Sequence, residues 1–381
     1  MRTFEVTVFV VACSLTIMRN SFAQVVQNPE PENWTGWSSL PYTPANVFNG
    51  VDASGDPTFN YTGQYRMIGV LLNTPGTLLN DTPDYTSDYE PYNLGGQWEI
   101  FFQAAPNATG GAAGDFGGTE AYLGQDYGNL PFIGDTSDNY TNAQWQAELT
   151  RVSYDANNPA GSANPEPLVA GDLIEVDANI GLYYAGQYNV NEAHSTSPNN
   201  QFYVHLIQAN YGMPAAQVIK LSQIEAPSGV NDTSYSAAEG DSAYEQSQSN
   251  DFDPTRATGG EHYQGDWVEL QDVHLVSGTL DGNPWAANGY YMIEDSSGLE
   301  LPLELGNVDA FNTMAAPTGD FNVYGVFNQD STDIGTNGYL ISAVDPSDFT
   351  AVPEPAMCTI MAVGSALLLM RRRTRGHRHA S

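Results

Sequence analysis

Leu299-Glu300-Leu301-Pro302-Leu303-Glu304-Leu305 alternates leucine with acid or proline along its whole length. Side chains of a strand point to opposite faces in turn, so the leucines share a core face and Glu300, Pro302 and Glu304 a wet one. Pro302 has no N–H to give to a ladder, which places this strand at a sheet edge or turns that nitrogen outward. Upstream, in Trp267–Val276, Val268 and Leu270 are out of phase with Val273 and Leu275. A one-residue slip of that kind calls for a bulge, and hence for a long, bent strand. Tyr291 with Ile293 reads as the strand between these two. Phe321, Val323 and Phe327, then Tyr339 with Ile341, read as two strands after the leucines, and Val308–Met314 is a short helical connection before them.

A long bulged strand, a hairpin, a short helical connection and two more strands is the order of an OB-fold barrel. The second half of the chain resembles that fold in topology only and carries no family signature. The first half reads as a more heavily inserted version of the same plan, with three strands, a linking segment, then two. Its candidate strands are Tyr65–Leu72, Gln97–Phe102, Thr119–Gly124, Asp172–Ile180 and Gln201–Gln208. Thr141 followed by Gln144 makes a capping box, with Trp145, Leu149 and Val152 on one helical stripe, although the same stretch also alternates as a strand. The expected class is all-β, with two β-barrel-like domains at 64–227 and 263–350. A Ser-, Asp-, Gly- and Gln-rich linker at 228–262 joins them, and an extended segment at 24–63 precedes them.

Both ends read as transport signals. Arg2, the apolar run Val6–Met18 and the small residues Ser21 and Ala23 form a signal peptide cleaved after Ala23. A competing reading takes Val10-Val11-Ala12-Cys13 as a lipoprotein site. At the other end Pro353-Glu354-Pro355 leads into the apolar segment Ala356–Met370, which stops on Arg371, Arg372 and Arg373. At about 1.5 Å per residue that segment reaches roughly 22 Å, against about 30 Å of hydrocarbon, so it suits transient membrane contact better than permanent anchorage. The arginines favour a cytoplasmic C-terminus. This tail, residues 351–381, resembles the PEP-CTERM sorting signal. The resemblance implies an exosortase-like membrane protease as partner, Pro353, Glu354 and Pro355 as its recognition element, and delivery to the cell surface or extracellular matrix. The competing reading is an ordinary tail anchor.

Between the ends the charge is lopsided. Of 11 Lys and Arg, only Arg66, Arg151, Lys220 and Arg256 lie in the body, whereas of 45 Asp and Glu only Glu5 and Glu354 lie outside it; 43 acids against 4 bases leave about −39. Nucleic-acid binding rests on neutralising phosphates with Lys and Arg, so no nucleic acid is expected as a partner. Cys13 and Cys358 sit in the ends, which leaves the body without a disulfide, a thiolate nucleophile or a cysteine metal site.

Candidate chemistry is sparse. His194, His205, His262 and His274 fall into no paired metal spacing, and no G-x-S-x-G elbow occurs. Each of these histidines reads first as a surface or hydrogen-bonding residue. Two acidic stretches offer oxygens for calcium: Asp81, Asp84, Asp88 and Glu90, and Asp330 with Asp333 around a glycine turn. Neither follows the spaced Asp-x-Asp-x-Asp-Gly loop, and solvated acidic turns are the competing reading. Tyr183, Tyr184 and Tyr188 with nearby amides suggest a carbohydrate platform, although tyrosine also simply favours strands. The expectation is a non-enzymatic matrix or envelope protein that associates with polysaccharide. The alternatives are a secreted, cation-assisted hydrolase, for which Glu261 and His262 are the residues to replace, and an extracellular nucleic-acid binder.

Overall fold

A computed structural model of the protein describes residues 61–82, 96–108, 117–125, 140–184, 187–191, 201–224, 262–296, 298–330 and 338–352. They form two β-sheets, each curled on itself. The first contains β1 (Tyr61–Leu71), β2 (Gln97–Ala104), β3 (Gly118–Gly124), β4 (Leu173–Tyr184), β5 (Gln187–Asn191) and β6 (Tyr203–Gln208), with helix α1 (Asn142–Val152) between β3 and β4. Their order is β1-β2-β3-β5-β4-β6, and β4 also returns to pair with β1. β4 can serve three neighbours because it is 12 residues long. One edge takes β1, while the other takes β6 along Leu173–Asp177 and β5 along Ile180–Tyr184. Between the pairs Thr62↔Ile180 and Tyr65↔Ala178, β1 advances further than β4, and this slip bends the strand.

The inner face of this sheet follows the period-2 pattern of its sequence. Met67, Ile100, Phe102, Ile174, Val176 and Val204 are buried there, and Trp98 lies over Phe202 with ring centroids 6.0 Å apart. The expected helix forms, with both halves of its capping box: Gln144 N–H bonds Thr141 Oγ1, and Thr141 N–H bonds Gln144 Oε1. Trp145 and Val152 enter the core from α1, and the Trp145 indole N–H donates to the Asp81 carbonyl at 2.7 Å.

The second sheet is built from β7 (Gln217–Ile219), β8 (Trp267–Leu275), β9 (Tyr290–Glu294), β10 (Glu300–Leu305), β11 (Phe321–Asp330), β12 (Gly338–Ala343) and β13 (Phe349–Ala351). Five of them, in the order β8-β9-β10-β12-β11, close into a small barrel through pairing of β11 with β8. β10 and β12 run parallel and the other neighbours within the barrel run antiparallel. The short connection between β10 and β11 is a 3-10 turn, Asp309–Thr313, which buries Phe311. The expected bulge is present. Phe321 pairs with Val273 but Val323 with Leu270, and Asp272 takes a left-handed φ of 55° to absorb the extra residue. β7, which falls within the stretch 64–227, adds to this second sheet by pairing parallel with β8.

The leucine strand corrects one expectation. Leu301, Leu303 and Leu305 are core, but the opposite face is wet only at Glu300: Pro302 is buried and Glu304 is only 4% exposed. Its carboxylate is satisfied by the Tyr290 hydroxyl at 2.8 Å and the Ser342 hydroxyl at 2.7 Å. Those donors come from β9 and β12 on either side, because β10 lies inside the barrel wall rather than at an edge. Pro302 is tolerated there by register. The Asp295 N–H bonds the Leu299 carbonyl, so the hydrogen-bonded pairs with β9 fall on Leu299, Leu301 and Leu303, and Pro302 lies between them. Pairing with β12 begins only at Leu303.

The two sheets pack against each other. Leu72, Leu78 and Phe101 from the first form one buried cluster with Trp267 and Val326 from the second. The Gln103 side-chain carbonyl accepts the Trp267 N–H at 3.0 Å, and the Thr77 carbonyl accepts the Asn307 N–H at 2.7 Å. Gly118 and Gly265 meet backbone to backbone, so closely that a Cβ on Gly118 would lie 1.8 Å from the Gly265 carbonyl oxygen.

Candidate functional site

An open, shallow cleft of about 450 Å³ lies on the second barrel. One wall is the end of β8 and the loop after it, from His274 to Gly278 with Leu280; the other is Pro317–Asp320, leading into β11. Each wall is anchored. The Val276 N–H bonds the Met292 carbonyl at 2.9 Å, the Met292 N–H bonds Thr279 Oγ1 at 2.8 Å, and the Asn283 amide bonds the Tyr290 carbonyl at 2.8 Å. Across the cleft the Asp320 carbonyl accepts the Val352 N–H at 3.0 Å, directly after β13 pairs along β11.

His274 stands between two carboxylates. Its Nε2 lies 3.6 Å from Glu294 on β9 and its Nδ1 lies 3.7 Å from Asp320. All three side chains reach solvent, at 42% for His274, 31% for Glu294 and 60% for Asp320. The two ring nitrogens face different carboxylates across the cleft rim, each beyond hydrogen-bond distance. Leu275, Val276, Leu280 and Pro317 supply apolar surface beside it, and Leu280 is 38% exposed.

A second polar group lies on the outer face of the first sheet, where β1, β4 and β6 adjoin. Arg66 is 3.4 Å from Glu175 and 3.9 Å from Asp177, and His205 Nε2 is 3.5 Å from the other oxygen of Asp177. Asn157 approaches His205 Nδ1 at 3.1 Å. The ring thus sits between Asn157 on one side and the Asp177 carboxylate on the other.

Of the acidic residues selected from the sequence as calcium ligands, Asp81 is described with its side chain. Burial pushes its carboxyl above the ordinary value, partly offset by a backbone hydrogen bond, and its carbonyl holds Trp145. A carboxyl raised in this way is a poorer cation ligand than a solvated one. Asp84, Asp88, Glu90 and Asp333 lie outside the described residues, and only the backbone of Asp330, at the end of β11, is described. Among the described residues no group of three or more His, Cys, Asp or Glu is arranged to hold a metal. Register sets Tyr183 directly across from Tyr188, and Tyr184 across from Gln187. Ala23, Glu261, Pro353, Glu354, Pro355, Arg371, Arg372, Arg373 and the segment 356–370 are outside the described residues.

Sequence reasoning passed over the cleft. His274 was visible as a lone histidine, but Glu294 and Asp320 are 20 and 46 residues further along the chain. The bulge brings the end of β8 beside β9 and the start of β11. The described residues form two β-sheet units, with the cleft on the second. Neither a protein-family model nor a curated protein matches the chain.

Proposed function

We propose that the protein is a non-enzymatic component of the cell surface or extracellular matrix, exported through its N-terminal signal and sorted by an exosortase-like protease acting on its C-terminal tail. Its body associates with polysaccharide. The closed five-strand barrel resembles the OB-fold in its strand connectivity, a scaffold that binds oligosaccharides as well as oligonucleotides, and the charge of this body favours the former. Two of the four body cations are already engaged by carboxylates, Arg66 by Glu175 and Asp177, and Arg151 by Glu148. A polyanion would find little to neutralise it.

The observation that carries this reading is the cleft on the second barrel. It combines anchored walls, apolar surface and the Asp320 carboxylate, and no Lys or Arg is among its described lining residues. Co-sedimentation tests it: the purified protein is mixed with matrix polysaccharide and, separately, with DNA, first with calcium and then with chelator. Retention by polysaccharide and not by DNA is expected. Loss on chelation would add a role for calcium at the acidic loops. Retention by neither polymer would leave a spacer or coat protein and end the binding half of the proposal.

A further inference from the structure

β13 runs antiparallel along the start of β11, with Val323 opposite Phe349, Asn322 opposite Thr350 and Phe321 opposite Ala351. One step further Val352 faces Asp320, and its N–H bonds the Asp320 carbonyl at 3.0 Å, so this is a hydrogen-bonded pair. In an antiparallel ladder such pairs alternate with pairs that exchange no hydrogen bond. The same register next sets Pro353 opposite Gly319, Glu354 opposite Thr318 and Pro355 opposite Pro317. All three prolines fall on positions without a ladder bond, where a missing N–H costs nothing. Glu354, which has an N–H to give, falls on a bonded position. The receiving edge is open. Thr318 and Gly319 are exposed, a Cβ on Gly319 would meet nothing within 4 Å, and no hydrogen bond among the described residues uses the Thr318 backbone.

From this register we infer that the chain's own segment 353–355 docks on the second sheet as a continuation of β13, paired along 317–320. Glu354 and Thr318 exchange the ladder hydrogen bonds, and the prolines on either side of Glu354 stop the pairing from being extended by further bonds. Glu354 lies diagonal to Asp320, whose side chain is 60% exposed, so these like charges meet in water, where surface pairs count for little. The pairing stands on register alone, and its meaning for sorting rests on the reading of the tail given above. A protease that recognises Pro353, Glu354 and Pro355 takes them from the edge of the barrel, in competition with Thr318, and not from a free tether.

The test is disulfide trapping in the full chain, held in detergent micelles, with Cys13→Ser and Cys358→Ser removing the native thiols. Opposite residues at a position without a ladder bond have Cα atoms about 4.5 Å apart, within reach of a disulfide. Under mild oxidation Pro317→Cys with Pro355→Cys should therefore close about tenfold faster than Pro317→Cys with Glu354→Cys or with Ala356→Cys, because a one-residue slip turns the thiol to the other face. The three variants share the same change in the wall, so its effect on folding cancels. Equal rates in all three, a faster rate at 354 or 356, or no closure in any would overturn the inference. So would a disulfide between two chains in place of one within a chain, which would seat a second copy on this edge. None of these outcomes touches the polysaccharide reading, which co-sedimentation decides separately.

Discussion

The two units fill the same gap in the same plan by different means. Between its third strand and the next, the first unit places an 11-residue helix and the second a five-residue 3-10 turn. The helix brings Trp145 and Val152 into the core, but also an ion pair, Glu148 with Arg151 at 2.6 Å, both nearly inaccessible. Arg151 also donates to the Phe202 carbonyl and lies over the Phe202 and Tyr203 rings, while the Gln201 amide serves the other oxygen of Glu148. The 3-10 turn brings Phe311, which meets Phe349 edge-on at 6.3 Å inside an aromatic group with Trp285, Tyr291 and Phe321. A plug of this kind is defined by the side chain it delivers, and the helix is one way of delivering it.

That contrast breaks most readily at Arg151. Removing one partner of a buried pair strands the other charge, so Arg151→Ala is expected to destabilise the protein by roughly 3–5 kcal/mol. Replacing the pair together, as Glu148→Leu with Arg151→Met, should restore most of that loss, because well-packed apolar residues commonly equal a buried pair. Urea unfolding of the single and double variants measures both. A double variant as unstable as the single one would show that the Phe202 carbonyl and Gln201 contacts, and not the charge, hold α1 in place.

The second unit has its own titrating group. Burial raises the Asp348 carboxyl to about 7, against hydrogen bonds from the Asp345 and Val344 N–H groups that pull it down, with the Asp345 charge adding to the rise. The folded state therefore holds a proton that the unfolded chain has already released. Its contribution is complete below about pH 4 and is lost as pH climbs toward 7, with a ceiling on the order of 4 kcal/mol. Asp348→Asn keeps an acceptor for both N–H groups and cannot titrate, so its stability should fall less between pH 4 and 7. Identical pH slopes for the two proteins would place the effect elsewhere.

Gly118 tests whether the units behave as one body. Gly265 has a φ of 75° and its backbone abuts Gly118, so Gly118→Ala forces the two sheets apart. Overpacking of this sort costs about 1–3 kcal/mol. It should also split a single thermal transition into two, which calorimetry would resolve. One unchanged transition would mean that the apolar cluster around Trp267 carries the coupling without the glycine contact.

How far each feature could be read depended on whether its cause was local. The bulge at Asp272 was legible because four apolar residues within one strand were out of phase. The succession of strands in the second half was legible in its alternation, and the helix in Thr141 and Gln144. Glu304 was misread because its partners, Tyr290 and Ser342, come from neighbouring strands, and alternation shows which face a residue occupies without showing what covers that face. The cleft was hidden for the same reason, since its three titratable groups meet only after the barrel closes. The Gly118–Gly265 contact spans 147 residues and has no local signature at all.

Capping gives the smallest effect and the finest comparison. Thr141 caps α1 through its hydroxyl with Gln144 answering, and Asp345 caps the 3-10 turn before β13 through its carboxylate with Asp348 answering. Thr141→Ala should cost about 1 kcal/mol, the usual value for a lost cap, because the orphaned N–H can still reach water at this exposed end. Asp345→Ala should cost a similar amount at neutral pH, and it also removes the charge that adds to the rise of Asp348. Thermal melts of the two variants at pH 7 and pH 4 separate a neutral cap from a charged one. A pH-independent loss in both would reduce the Asp345 box to simple geometry, equivalent to that of Thr141.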